Sequence, residues 1–272
     1  MAQVKDERVK EAFDRIQEGV KSVFTSENYA NYLNFLSKLY NYSSNNCLLI
    51  LDQFPEASMV ASMGFWGRAK RTVKKGEKAI TILAPVKHQF TKQNEKGEEE
   101  VIEYITFKTA YVFDVSQTEG NPIPSIVKEL KGTSTEIQML IQKLENLLKE
   151  YNIKLEYWNL KGTAKGFYRS SDDLIVIKKG LEDLQVLKTL VHELAHFLCH
   201  KYDETGERAR KELEAESIAY AVLNYFGIDS SDYSFGYLAG WSTKETKELN
   251  SILNGIQRQV KFIINKLQEE EE

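Results

Sequence analysis

Along the first forty residues apolar side chains recur every three or four positions: Val9, Phe13, Ile16, Val20 and Val23, then Tyr29, Tyr32, Leu33, Leu36 and Leu39. That spacing predicts two amphipathic helices, with Thr25 or Ser26 of "FTSENY" capping the second. "SNNCLLILDQF" predicts a third helix that stops at Phe54, because Pro55 disfavours α geometry in the residue before it. From Gly64 the period changes to two. "GFWGRAKRTVKKGEKAITILAPV" and "VIEYITFKTAYVFDVSQ" alternate β-branched or aromatic with polar residues, as strands do, around the charged connection "KQNEKGEEE". Helical spacing resumes from Thr133 to Tyr151, and "IKLEYW", "KGFYRS" and "DLIVIKKG" follow as short strands. Leu184 to Lys201, Glu207 to Phe226 and Thr243 to Leu267 are again helical in pattern.

The predicted class is α+β: amino-terminal helices with a small antiparallel sheet, then a carboxy-terminal unit of helices with a small sheet of its own. The texture breaks at "SQTEGNPIPSIVKELKGTSTE", which carries Pro122 and Pro124, so the expected domains are residues 1–124 and 125–272. The last four residues, Glu269 to Glu272, are expected to form a frayed acidic end.

Composition narrows the function classes. At 272 residues, 42% hydrophobic, either half is long enough to bury a core. No apolar run approaches the roughly 20 residues that cross a bilayer. "MAQVKDERVKEAFDRI" is charged and amphipathic, unlike a secretory signal, so the expected setting is the cytoplasm with no membrane partner. Cys47 and Cys199 have no metal-type spacing, and a disulfide framework is not expected. A net charge of −4 gives no global attraction to nucleic acid, so any polyanion site is local. One such stretch is "FWGRAKRTVKKGEKA", where Arg68, Lys70, Arg71, Lys74, Lys75 and Lys78 face the single acid Glu77 beside Phe65 and Trp66. Cations along phosphates and flat rings for stacking suit single-stranded nucleic acid, with a solvated basic turn as the alternative.

The sharpest chemistry lies in "TLVHELAHFLCH", which holds three of the four histidines. On a helix His192 and His196 share a face about 6 Å apart along the axis, so both imidazoles can converge on one ion. Glu193 beside them completes HExxH, in which neutral imidazoles hold Zn²⁺ and the glutamate takes a proton from the attacking water. His200 is about 12 Å along the axis from His192, too far to join that set, and with Cys199 is expected to serve packing or the helix end. A third protein ligand is required. "RKELEAESIAYAVLNYFG" supplies Glu212 and Glu216 on one face of an otherwise apolar helix. Glu212 is assigned as the ligand and Glu216 as partner of a histidine N–H, the reverse being the alternative. Glu214 points elsewhere and is expected to be a solvated residue favoured by the helix dipole.

"HELAH" followed by "ELEAESIAY" resembles the gluzincin-type metallopeptidase domains of the ImmA/IrrE group and of the ArdC-like proteins of mobile elements. In that family a Glu-x-x-x-Asp/Asn/Glu pattern follows the histidines, and it falls on Glu212 and Glu216. "GIDSSDYSFGYLAGWS" is similar to the segment that follows in ArdC-like proteins. The resemblance implies a zincin-like fold with a small sheet above the active-site helix, here "GFYRSSDDLIVI". An open edge of that sheet could receive an extended protein or peptide substrate as an added strand. Tyr233 and Tyr237 are candidate oxyanion stabilisers, with core packing as the alternative.

In the first half, "YSSNNCLLI", "FWGRAKRTVKKGEKAITILAP" and "VFDVSQTEGNPIP" are similar to the single-stranded DNA-binding amino-terminal domain of ArdC-like antirestriction proteins. The family pattern falls on Tyr42, Ser43 and Asn46, and on Trp66, Lys75, Gly76, Glu77 and Lys78. Asn46 could equally cap its helix, and Gly76 could serve only a turn with positive φ. The implied function is single-stranded DNA binding coupled to a Zn²⁺ peptidase on His192, His196 and Glu212 with Glu193 as general base, in antirestriction or DNA protection for a plasmid or other mobile element. The alternatives are a non-catalytic DNA-binding protein with a structural or vestigial zinc site, and a stand-alone peptidase acting on a regulatory protein.

Overall fold

Residues 7–93, 99–123, 133–203, 206–228, 233, 235, 238, 241 and 243–269 are described by a computed structural model. Part of the proline-bearing boundary, the centre of the "KQNEKGEEE" connection, most of "GIDSSDYSFGYLAGWS" including Tyr237, and the final three glutamates lie outside the described residues.

In chain order the first elements are helices α1 (Glu7–Val23), α2 (Ser26–Lys38) and α3 (Ser44–Gln53), then strand β1 (Val60–Ser62), helix α4 (Met63–Arg68) and strand β2 (Arg71–Val73). Strands β3 (Ile80–Gln93) and β4 (Glu99–Asp114), a 3₁₀ turn Val115–Gln117 and strand β5 (Thr118–Gly120) follow. Then come α5 (Ser134–Glu150), β6 (Lys154–Trp158), β7 (Gly166–Arg169), β8 (Leu174–Lys178), α6 (Asp183–His200), α7 (Arg208–Tyr225) and α8 (Thr246–Gln268). The class is α+β, as the pattern predicts.

The chain forms two units, Met1–Ser22 with Asn45–Ile123, and Val23–Ser44 with Pro124–Glu272. In the first, an antiparallel sheet of order β1-β4-β3 is built on the long β3–β4 ladder, which runs from Ile80 opposite Val112 to Gln93 opposite Glu99. The outer edge of β3 is closed by side chains of α3. Asn46 exchanges two hydrogen bonds with the main chain of Leu83, both 3.0 Å, and Gln53 does the same with Thr81, both 2.9 Å. Two amides thus stand in for a neighbouring strand and satisfy backbone groups that would otherwise be left open.

"GFWGR", expected as strand, is helical. Ser62 caps it by accepting the Phe65 N–H at 3.3 Å, and Trp66 turns inward with 0% exposure, its indole N–H donating to the Phe113 carbonyl at 3.0 Å. Gly64 and Gly67 flank the aromatics and mimic an alternating pattern, yet only Trp66 is buried there. Gly76, at φ +94°, makes the turn into β3 that L side chains disfavour.

In the second unit α6 packs against α5, α7 and α8 and carries β7 and β8 on another side. The sheet order is β6-β8-β7, with β6 parallel and β7 antiparallel to β8. Leu174, Ile175, Val176 and Ile177 of β8 are all buried, which a central strand under a helix requires. β7 is an edge. Helix α2 belongs to this unit and not with residues 1–124: it packs on α7, the Tyr29 hydroxyl lies 2.8 Å from Ser217 Oγ in the core, and Asn224 donates to Asn34 Oδ1 and Ser37 Oγ at 2.9 and 3.0 Å. A division drawn along the chain treats neighbours in sequence as neighbours in space. Among the described residues no helix is long and apolar enough to cross a membrane.

Candidate metal centre

α6 presents His192 and His196 on one face, and α7 brings Glu212 to them. The Nε2 atoms of the two histidines are 3.0 Å apart, and Glu212 Oε2 lies 3.5 Å from His192 Nε2 and 3.7 Å from His196 Nε2. Ligand atoms held about 2.0–2.1 Å from one tetrahedral ion sit about 3.4 Å from each other, so this triangle fits a single Zn²⁺-like ion with its fourth position open. The donor chemistry fits too: two imidazoles and a carboxylate suit a borderline divalent metal. Glu216 is outside the group of three that could hold an ion and lines the adjoining cleft.

The local electrostatics favour a cation. Hydrogen bonding to His192 and His196 holds the Glu212 carboxyl well below the usual carboxylate range. Burial would lower the His192 pKa, but the Glu212 hydrogen bond and the charges of Glu193, Glu212 and Glu216 outweigh it and leave it raised. Glu193 is 7% exposed, and burial raises its pKa against the pull of both histidines and of a hydrogen bond from the Tyr168 backbone N–H. Burial likewise raises Glu216. Three carboxylates gather around the two imidazoles, with Lys188 on the cavity wall and Arg208 Nε 4.0 Å from Glu212 Oε1, and a divalent ion between the imidazoles and Glu212 would suit that acidic set.

The centre opens into a cavity of about 690 Å³ walled by Thr163 to Gly166 at the start of β7, by Lys188, Thr189, His192 and Glu193 of α6, by Glu212 and Glu216, and by Tyr233. β7 lies this close to α6 because residue 166 is glycine: a Cβ there would come within 2.6 Å of Thr189 Cγ2 and 2.7 Å of the Val176 carbonyl. At the other end of the strand the Tyr168 hydroxyl donates to Asp173 Oδ1 at 2.9 Å and Lys201 donates to Asp173 Oδ2 at 2.7 Å, clamping the β7–β8 turn to the end of α6. Tyr233 also lies 5.8 Å, ring centroid to Nζ, from Lys188. Tyr237 is outside the described residues.

One expectation is corrected here and one extended. Glu214 is not solvated, and His200, buried at the end of α6 as expected, also joins a row of polar contacts. His196 Nδ1 is 3.2 Å from His200 Nδ1, His200 Nε2 is 2.7 Å from Glu214 Oε2, and Arg210 Nε donates to Glu214 Oε1 at 2.9 Å. His200 and Glu214 are 9% and 7% exposed. Their signal in the sequence was the repeated i, i+4 step, His196 to His200 and Arg210 to Glu214, but only packing of α6 on α7 joins the two pairs.

The candidate DNA residues divide. Arg68, Lys70, Lys74, Lys75 and Lys78 are exposed on the α4–β2–β3 turn. Arg71 is engaged with β5, donating to Thr118 Oγ1 at 2.8 Å, to the Thr118 carbonyl at 3.0 Å and to the Asn121 carbonyl, and Lys74 donates to the Ser116 carbonyl at 2.8 Å. Trp66 is corrected to a core residue, since a buried ring offers no face to a base. Phe65, partly exposed and edge-on to Trp66, is the aromatic left beside the basic turn. Asn46 lies in the first turn of α3, half-buried, with its amide paired with Leu83. Tyr42 is half-buried and Ser43 exposed, both within the second unit.

Comparison with known proteins bears on both halves. Residues 2–113 match the family model for the N-terminal domain of anti-restriction factor ArdC, and residues 148–226 match that of the IrrE N-terminal-like domain. An uncharacterized protein of Bacillus anthracis is 29% identical over 94% of this chain and 50% of its own length, so the chain spans about half of that relative. Among solved structures, the metal-free antirestriction protein ArdC from the R388 plasmid has a TM-score of 0.59 at 17% identity, covering 93% of this chain and 98% of the other. Its Mn(II)-bound form has a TM-score of 0.55 at 17% identity, covering 93% and 96%. These solved structures share the fold.

Proposed function

We propose that this chain, an ArdC-like protein joining an ArdC-type N-terminal domain to an IrrE-like domain, is a zinc-dependent peptidase linked to a single-stranded DNA-binding unit, acting in antirestriction or DNA protection. The observation that carries the peptidase reading is the triangle of His192, His196 and Glu212 with Glu193 beside it, at the head of a cleft walled by an edge strand. A Zn²⁺ ion held there supplies Lewis acidity, polarising a carbonyl and making water more acidic.

The remaining chemistry belongs to the chain. Glu193 accepts the proton of the attacking water and returns it to the leaving amine; burial raises its pKa toward neutrality, which suits a group that must both take and give. The Tyr168 N–H fixes the orientation of that carboxylate. The free edge of β7 offers main-chain groups to an extended peptide, laying the scissile bond across the ligand face of α6. Tyr233, on the cleft wall, is the described candidate for donating to the developing oxyanion. In the first unit, Arg68, Lys70, Lys75 and Lys78 form the phosphate-tracking surface, with Phe65 as the adjacent ring.

Metal content by mass spectrometry and hydrolysis of a mixed, fluorescence-quenched peptide library test this directly. One zinc per chain is expected, lost in His192→Ala and Glu212→Ala and kept in Glu216→Ala. Glu193→Gln should keep the metal and lose at least about 10²-fold in rate. Metal retained in Glu212→Ala would move the third ligand. Full metal loading of the parent without any cleavage would leave a non-catalytic site, and copurified manganese would replace zinc as the resident ion.

A further inference from the structure

A histidine that binds a metal through Nε2 must carry its proton on Nδ1, and whatever accepts that proton fixes the ring's tautomer and plane. His196 turns its Nε2 to the ligand triangle and its Nδ1 to His200 Nδ1, 3.2 Å away. His200 can accept there only with its own proton on Nε2, which points at Glu214 Oε2, 2.7 Å off. The other oxygen of Glu214 accepts from Arg210 Nε at 2.9 Å. With His196 bound through Nε2, the row to Arg210 is satisfied when His196 donates to His200 and His200 to Glu214, and that arrangement leaves the His196 Nε2 lone pair aimed at the ion.

We propose that His200 and Glu214 are positioning residues for the metal centre, fixing His196 as an Nε2 ligand and, through the same bonds, seating α7 on α6 so that Glu212 reaches the ion. The inference rests on the metal reading above. Burial supports it: the side chains of His200 and Glu214, 6% and 9% exposed, are polar groups enclosed at a cost that a mere packing role would avoid with apolar residues of similar size. The geometry supports it as well. A pin between α6 and α7 alone would need no bond to His196, whereas here the row begins on a ligand.

The test uses the full chain and two probes, Zn²⁺ affinity by competition with a chromophoric chelator and the visible absorption of the Co²⁺-loaded protein. His200→Ala and Glu214→Ala are expected to weaken Zn²⁺ binding 10- to 100-fold, the range for loss of a ligand's outer partner, and to change the Co²⁺ spectrum. His200→Gln is expected to recover most of the affinity, because its amide can accept from His196 and donate to Glu214. It also serves if the alanine variants fail to fold by circular dichroism. Affinity within twofold of the parent in folded His200→Ala and Glu214→Ala, or a folded His200→Gln no better than His200→Ala, would reduce the row to a helix pin and overturn the proposal. A parent chain that binds neither Zn²⁺ nor Co²⁺ would instead overturn the metal reading and this inference with it.

Discussion

Trp66 and Asn46 owe their places to hydrogen bonds with main-chain groups. The indole N–H of Trp66 reaches the buried Phe113 carbonyl, and the Asn46 amide closes the β3 edge at Leu83. Trp66→Ala is expected to destabilise the protein by about 3–5 kcal/mol, as large aromatic truncations in cores do. Trp66→Phe, which keeps most of the packing but leaves that carbonyl without its donor, is expected to cost about 1–3 kcal/mol. Denaturant unfolding of both variants measures this. Oligonucleotide affinity of folded Trp66→Phe should equal that of the parent, while Lys75→Ala with Lys78→Ala should lower affinity and flatten its salt dependence. A selective loss in Trp66→Phe would return the ring to the DNA site.

At the scale of elements, the working part of the second unit is the sandwich of β7, α6 and α7, and its geometry depends on clamps at either end of the strand. Gly166 sets the closeness at one end and Asp173 ties the other to Lys201. The Lys201 hydrogen bond, joined by that of the Tyr168 hydroxyl, holds the Asp173 carboxyl below its usual value against the opposing effects of desolvation and of Asp172. A pKa lowered by folding means stability that is complete above the ordinary carboxylate value of about 3.9 and fades as pH falls through the lowered one. Asp173→Asn should therefore lose about 0.2–1 kcal/mol at pH 7, the range for partly exposed pairs, and the gap to the parent should close at an acid pH below the lowered value. Thermal melts at both pH values read this out. An equal gap at both would assign the effect to something other than charge.

For the whole molecule, the unit that contains the candidate metal centre takes in residues 23–44 as well as the carboxy-terminal half. Without α2, Ser217 loses its buried partner Tyr29 and the apolar face of α7 loses its cover. A fragment of residues 125–272 is expected to melt broadly and at lower temperature than the parent, and a synthetic peptide of residues 23–44 should sharpen the transition and raise its midpoint by mass action. A fragment that melts cooperatively without the peptide would show that α2 is dispensable.

Period and spacing alone determined the helices and strands of the second half, the HExxH face and the candidacy of Glu212, because each follows from local geometry: 3.6 residues per turn puts His192 and His196 together whatever surrounds them. The α+β class was legible for the same reason. What only the tertiary structure decided depends on contacts between segments far apart in sequence. Trp66 stays a candidate for the DNA surface until Phe113 is beside it, Glu214 reads as a solvated acid until α7 meets His200, and α2 as part of the first half until Tyr29 finds Ser217. A sequence pattern specifies which face of an element must be covered, whereas its partner is chosen by packing of the whole chain.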